Sequence, residues 1–187
     1  MMEHFYCEAP EFQKPVVRPF TRIEEHNFSK YTQDAIHHYA DTITPTHAIP
    51  SKVFSGFTKA CHNLYKFDSK TEKDFAYILE HDKAVLKWLR PAGNQFHIYW
   101  KHNLRRYYPD FVAETANTIY LVETKKEGDI DTNEVREKSQ AALVYCQNAT
   151  EFTTQNSGKS WNYVLIPHDS VKTNMGFDTL AKHFMRG

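Results

Sequence analysis

The pattern of apolar and polar positions is most regular between residues 69 and 81. Phe75 and Leu79 are four positions apart, so they lie on one face of a predicted helix, and Glu72 shares that face. Ser69 followed three residues later by Glu72 is a capping-box signature, which marks a helix start. The pattern therefore predicts a helix that packs its apolar face on a sheet and carries Glu72 on that face.

Beyond this helix the pattern predicts a second short helix and then strands. The short helix covers residues 83–90 and ends before Pro91, and the sequence PAGN at residues 91–94 is typical of a turn. Three runs rich in aromatic and β-branched residues predict an antiparallel meander, and they are residues 95–100, 107–114 and 118–125.

The last third of the chain predicts a helix, a strand and a short helix. Asp131 as the N-cap, with Glu134 three residues later, indicates the start of the first of these. Residues 161–167 are typical of a buried strand, and a short helix is expected near residues 178–184. Residues that share one face of the first helix are Val135, Lys138, Ala142 and Tyr145.

The first 50 residues contain five prolines among charged and aromatic residues, which interrupts regular elements. We predict an arm or linker over residues 1–50, with one short helix near residues 28–39, and a folded domain over residues 51–187. A helix over residues 51–65 is expected to begin that domain, despite Gly56. Helices and strands then alternate along the chain, which predicts the α/β class.

Composition and charge restrict the classes of protein that fit this pattern. The 187 residues, 41% hydrophobic, suffice for one domain with a real core. Because 23 basic and 23 acidic side chains cancel, any DNA affinity must be local or supplied by a partner. Three widely spaced cysteines without CxxC pairing fit a reducing, cytoplasmic setting. No apolar run approaches the roughly 18 residues of a membrane span, so no membrane partner is expected.

One strand combines an apolar core pattern with two charged positions. Side chains alternate along residues 118–125, so Leu121, Glu123 and Lys125 point the same way, and both faces are otherwise largely apolar. This is typical of a central strand, where a charge is costly unless it has a partner or a chemical role. Glu123 and Lys125 are therefore candidate functional residues.

The hairpin before this strand places a second carboxylate beside the first. If the chain turns through Ala116 and Asn117, paired positions have numbers that sum to 233, so Asp110 faces Glu123. Two facing carboxylates repel each other without a cation. With the carbonyl oxygen of Thr124 they form an oxygen-rich pocket of the kind that Mg²⁺ prefers, with Mn²⁺ as a substitute. We predict a metal site formed by Asp110, Glu123 and Thr124.

The same pocket contains the groups that phosphodiester hydrolysis requires. A metal polarises the phosphate, and Lys125 is placed to position or deprotonate the attacking water and to offset developing negative charge. Glu72 is expected to reach the metal or its water shell from its helix. Basic residues that are candidates for phosphate contacts are Lys101, Arg105, Arg106 and Lys138, with His102 in the same run.

Each of these positions also has a structural explanation. Asp110 suits the start of an edge strand, and Glu123 with Lys125 suits a surface salt bridge. Glu72 is accounted for as the capping-box residue, and Lys138 as a helix lysine whose stem covers apolar neighbours. The basic run is equally typical of a solvated loop, and the eleven histidines show no zinc spacing. The conjunction of PD, twelve intervening residues, ExK and a following helix favours catalysis.

Several separate motifs occur together in an order that resembles a known family. That family is the C-terminal nuclease region of type III restriction enzyme Res subunits and related superfamily 2 helicase-nuclease proteins. The similarity spans roughly residues 50–180. Its motifs are FDSKTEKDFAYILE at 67–80, VLKWLRP at 85–91, YYPDF at 107–111, LVETK at 121–125 and WNYVLIPHD at 161–169.

The resemblance implies a PD-(D/E)XK restriction-endonuclease-like fold, with a central mixed β-sheet flanked by helices and Mg²⁺-dependent cleavage of double-stranded DNA. It implies that Asp110 and Glu123 bind metal and that Lys125 is catalytic, with Glu72 matching the helix glutamate. The chain lacks a GxxxxGK[ST] phosphate loop and a DExH box. It therefore resembles a cleavage module that depends on helicase (ATPase) and modification subunits, with two copies brought together to cut both strands.

Two other functions remain open from the sequence. A non-catalytic docking or DNA-binding module could use the same fold, although retention of Asp110, Glu123 and Lys125 argues against it. A stand-alone repair or RNA nuclease would keep the chemistry and change the substrate.

Overall fold

A mixed five-stranded sheet forms the centre of the domain in a computed structural model that describes residues 26, 28, 35–93, 95–101 and 104–186. Its order is β3-β6-β7-β8-β9, with β7 antiparallel to β6 and parallel to β8. The strands are β1 Ile36–His38, β2 Val53–Ser55, β3 Lys87–Leu89, β4 Ile98–Trp100, β5 Arg105–Tyr107, β6 Phe111–Glu114, β7 Thr118–Lys125, β8 Ser160–Pro167 and β9 Met185–Arg186.

Three α-helices cover the two faces of this sheet: α1 Lys70–His81, α2 Asn133–Gln155 and α3 Phe177–Phe184. Helices α1 and α3 pack on one face, where Phe75 and Phe177 join Val122 in one buried cluster. Helix α2 packs on the other face, where its Ala142 lies in a second cluster with Leu121. The predicted α/β class and the mixed sheet flanked by helices are confirmed.

The central hairpin and the start of α1 lie where the sequence predicts them, and the start of α2 is shifted by one residue. The register pairs Phe111 with Val122, and these numbers sum to 233, as predicted. Ser69 caps α1 by accepting a hydrogen bond from the Glu72 N–H, which confirms the predicted start. Helix α2 begins one residue later than predicted, because the Thr132 side chain, rather than Asp131, accepts the capping hydrogen bond.

Two predicted helices are strands instead. Residues 51–65 contain β2, and Gly56 follows it with a φ of +88°, which no helix accommodates. Residues 83–90 contain β3, whose Trp88 and Leu89 are buried and which pairs with β6. In both segments long-range pairing and burial override local helix preference.

The predicted meander is wrong in its first strand. Strands β4 and β5 pair with each other in a separate two-stranded sheet, and only β6 and β7 form a hairpin within the central sheet. Pro109 stands between β5 and β6, and it lacks the N–H that a continuous strand needs for pairing.

Most of the predicted N-terminal arm lies outside the described residues, as does Cys7. The helix predicted at residues 28–39 is wrong at its C-terminal end, because residues 36–38 form β1, which pairs in parallel with β2. Residues 35–50 lie against the domain, and Ile49 is part of its core. The division at residue 50 stays a prediction. Among the described residues, no helix is long and apolar enough to cross a membrane.

Candidate active site

The predicted residues Asp110, Glu123 and Lys125 meet where β7 ends. Glu123 is buried, with only 4% of its surface exposed, and Lys125 is half-buried two positions later. Asp110 precedes the first residue of β6, and the register of β6 with β7 places it opposite Glu123. The fold therefore brings together the three residues that the sequence identified, from positions up to 15 apart.

Asp110 is fixed by hydrogen bonds from β7. Its Oδ2 accepts one from the Thr124 main-chain N–H and another from the Thr124 hydroxyl, each at 2.8 Å. Both bonds go to the same carboxylate oxygen, so the other oxygen, Oδ1, keeps its acceptor capacity. Thr124 thus orients one of the two carboxylates.

Glu123 is held at both of its oxygens. The Tyr107 hydroxyl donates to Oε2 at 3.0 Å, and the Lys125 ammonium lies 2.6 Å from Oε1. Tyr107 is itself buried and comes from β5, across the site from β7. The carboxylate is therefore positioned by one neutral donor and one cation.

The environment of Glu123 favours its neutral form. Burial, and then the negative charge of Asp110, raise its pKa from 4.5 to about 7, although Lys125 and Tyr107 oppose this shift. For Lys125, burial acts to lower the pKa, but the charge and hydrogen bond of Glu123 outweigh it and raise the pKa above its usual value. Lys125 is therefore an ammonium at neutral pH, whereas Glu123 needs further positive charge to be fully ionised.

These residues fit the divalent cation that the resemblance implies. Mg²⁺ is bound mainly by oxygen ligands, and two neighbouring carboxylates supply them here. Burial and the charge of Asp110 keep Glu123 from ionising fully at neutral pH, and a bound cation would stabilise its ionised form. Asp110, Glu123 and the Thr124 carbonyl would hold the ion. Within the described part of the chain, no group of three or more His, Cys, Asp or Glu side chains is arranged for a metal, so a site here would rely on the main-chain oxygen.

Glu72 lies near the site and has a structural role there. Its Oε2 accepts hydrogen bonds from the Asp68 N–H at 2.8 Å and from Arg90 at 2.9 Å. Burial raises its pKa, Arg90 opposes that rise, and the charge of Asp110 adds to it. Glu72 therefore interacts electrostatically with Asp110. Its direct contact with Arg90 links α1 to the residue that follows β3.

We expect Glu72→Gln to lower the free energy of unfolding by about 1–2 kcal/mol, because the half-buried Arg90 guanidinium then faces a neutral amide oxygen in place of a carboxylate. Asp68 provides a matched control, since it pairs with the same guanidinium at 2.6 Å but has 81% of its side chain exposed, against 13% for Glu72. Asp68→Asn should change the free energy by less than about 0.5 kcal/mol. Urea denaturation measures both, and equal losses would contradict the role given to Glu72.

The four predicted phosphate contacts lie around the β4–β5 hairpin. Lys138 on α2 and Arg105 on β5 both lie over the Trp100 ring, at 5.2 and 5.8 Å from its centroid. Lys138 also pairs with Glu134 at 2.6 Å, so part of its charge is balanced. The other two, Lys101 and Arg106, are exposed on the hairpin, and His102 lies outside the described residues.

Sequence reasoning missed the tyrosines of the site. Tyr107 contacts Glu123, and the hydroxyl of Tyr163 on β8 lies 3.3 Å from the Ser139 hydroxyl on α2. Tyr163 also raises the pKa of Tyr107, which burial and Glu123 already hold well above its usual value. These residues read as ordinary core aromatics in the sequence, and no spacing signal distinguishes them.

Comparison with models of protein families finds none that matches this chain, and no curated protein matches it either.

Proposed function

We propose that this chain is a Mg²⁺-dependent endonuclease domain with a PD-(D/E)XK fold that hydrolyses phosphodiester bonds of double-stranded DNA. The observation that carries the proposal is the placement of Glu123. It is a buried carboxylate at the end of a central strand, opposite Asp110, with its pKa near 7 and the Lys125 ammonium 2.6 Å away. A purely structural ion pair would not need a second carboxylate facing the first.

The residues of the chain have separate roles in this proposal. Asp110, Glu123 and the Thr124 carbonyl hold the ion, which when bound polarises the phosphate and lowers the pKa of a water. Lys125 positions the attacking water and offsets negative charge that develops on the phosphate. Thr124 and Tyr107 orient the two carboxylates through the hydrogen bonds described above.

The biological setting proposed is a type III restriction-like system. The chain has no net charge and no ATP-binding loop, so DNA would be delivered by helicase and modification subunits. Each chain contains one proposed site, and cleavage of both strands would then need two copies, as in a homodimer.

The test is cleavage of supercoiled plasmid by the purified chain with Mg²⁺ or Mn²⁺. We expect nicked or linear products that disappear with EDTA and fall about 10²-fold in Lys125→Ala, because the ammonium beside Glu123 is lost. Lys126→Ala is the matched control, since Lys126 is the next residue and is exposed.

Three outcomes would count against the proposal. Cleavage that persists in Lys125→Ala or in EDTA would place the activity elsewhere. Cleavage of RNA in preference to DNA would support a different nuclease. A chain that stays inactive when helicase and modification subunits are supplied would favour the non-catalytic docking module.

A further inference from the structure

The β4–β5 hairpin has two different faces. Ile98, Trp100 and Tyr107 are buried toward α2 and the candidate site. The opposite side, which we call the hairpin face, consists of His97, Tyr99, Arg106 and Tyr108. It exposes 48% of Tyr99 and 40% of Tyr108. Two large rings are thus presented to solvent where the fold does not require them.

The rings of the hairpin face form a contiguous group around one guanidinium. The His97 ring is edge-on to Tyr99 at 4.9 Å and lies 6.0 Å from Tyr108. The Arg106 guanidinium lies 5.8 Å from the Tyr99 centroid. Burial, together with the nearby charge of Arg106, lowers the pKa of His97, so its ring is neutral at neutral pH. The face therefore offers flat π surfaces beside a permanent positive charge.

The charged residues of the hairpin are all basic, within a chain whose net charge is zero. Residues 95–108 contain Lys101, Arg105 and Arg106 and no Asp or Glu. Among the described residues, the groups that act on the charge of Arg106 are the hydroxyls of Tyr108 and Tyr99, which are neutral. Arg106 is exposed on the hairpin, where its guanidinium can approach an anion. Aromatic rings that can stack on bases, beside a cation that can pair with a phosphate, are the features by which proteins bind single-stranded nucleic acid.

The hairpin face is also next to the candidate site. Tyr107 points inward from β5 and donates its hydrogen bond to Glu123, and the next residue, Tyr108, belongs to the hairpin face. Asp110 follows two positions after Tyr108. Along the chain, Pro109 alone therefore separates the hairpin face from a carboxylate of the candidate site.

We infer that the hairpin face binds the unpaired bases of a DNA strand, with Tyr99 and Tyr108 stacked on bases and Arg106 on the backbone phosphate. Bases within an intact duplex have no free face for these rings, so the occupant must be locally single-stranded. The inference rests on the proposed function in two respects, because that function names DNA as the strand and places a cut near the hairpin face. It makes the substrate a duplex whose strands are separated beside the cut.

Binding can be measured without cleavage. Fluorescence anisotropy of a short labelled single strand, and of the duplex of the same sequence, is recorded with the intact chain in EDTA at one salt concentration. We expect the single strand to bind more tightly than the duplex, and Tyr99→Leu to weaken that binding about tenfold while Tyr99→Phe keeps it. Arg106→Ala should weaken binding and reduce its salt dependence.

Phe152→Ala is the matched control, because Phe152 is an aromatic residue that is 53% exposed and lies on α2 rather than on the hairpin face. Thermal unfolding of each variant checks the fold. Equal affinity for both DNA forms, an unchanged affinity in Tyr99→Leu, or no binding of either form would overturn the inference. Because EDTA prevents metal-dependent cleavage, an inactive site would leave this measurement unaffected, and cleavage without single-strand preference would refute the hairpin face alone.

Discussion

Replacing Glu123 with glutamine is expected to reduce DNA cleavage by about 10³-fold or more and, at the same time, to stabilise the folded chain above neutral pH. Activity falls because glutamine supplies no negative charge to a cation. Stability rises because position 123 is only 4% exposed, so that a charged glutamate there is unfavourable and a neutral glutamine avoids that cost. An active-site residue that lowers stability in this way differs from a structural one, whose loss only destabilises.

The direction of the pH effect follows from the pKa of Glu123. Its value in the folded chain, about 7, is above its ordinary value of 4.5, so the folded state holds the proton more tightly. This contribution to stability is fully present below pH 4.5 and is lost as the pH rises through about 7. Glutamine cannot ionise and does not lose it. At about pH 8 the variant should be more stable than the wild-type chain by about 1–3 kcal/mol. The value is at the lower end if the loss of the ion pair with position 123 makes the half-buried ammonium of Lys125 unfavourable.

Urea denaturation at about pH 5 and pH 8 measures this difference. The matched control is Glu114→Gln, because Glu114 also forms a 2.6 Å ion pair with a lysine, Lys159, but is more exposed. We expect that control to retain cleavage and to change stability by less than about 0.5 kcal/mol at both pH values. Mg²⁺ should raise the melting temperature of the wild-type chain and not that of Glu123→Gln. A variant with undiminished cleavage, or an identical stability change at both pH values, would refute the role of Glu123.

The part of the site that lies on the central hairpin could be predicted because it depends on local rules. Strand alternation puts Glu123 and Lys125 on one face, and a short turn fixes the register that brings Asp110 opposite. The position of Glu72 on its helix followed from the capping box, but its ion pair with Arg90 did not. Arg90 is 18 residues away, and it reaches Glu72 only because residues 87–89 form a strand.

The errors share one physical cause, which is pairing between distant segments. The segment at 83–90 has helical periodicity, yet Trp88 is buried in the core and its main-chain N–H donates to Lys59, 29 residues earlier. Tyr107 reaches Glu123 because β5 folds onto β4 rather than continuing into β6. Periodicity describes one segment at a time, and these contacts depend on where two segments meet.

Glu80 is another residue that the sequence pattern did not reveal, and its loss is expected to have the largest effect on stability. It is a buried carboxylate on α1 that accepts hydrogen bonds from four donors. Its Oε2 accepts from the N–H and hydroxyl of Thr58, at 2.9 and 3.0 Å, and its Oε1 from the Lys59 N–H at 3.1 Å and Trp88 Nε1 at 2.7 Å. The carboxylate thus joins α1, the segment after β2, and β3.

We expect Glu80→Ala to lower the free energy of unfolding by about 3–5 kcal/mol. The buried indole N–H of Trp88 loses its acceptor, and the main-chain N–H groups of Thr58 and Lys59 lose a charged acceptor. Glu151→Ala, at an exposed position of α2, is the matched control and should change it by less than about 0.5 kcal/mol. Trp88→Phe, alone and combined with Glu80→Ala, completes a double-mutant cycle in urea. We expect a coupling free energy of about 1–2 kcal/mol between the two substitutions. Trp88→Phe removes the indole N–H that Glu80→Ala alone would leave without its acceptor. Additive effects, or a loss in Glu80→Ala no larger than in the control, would mean that this carboxylate does not hold the three segments together.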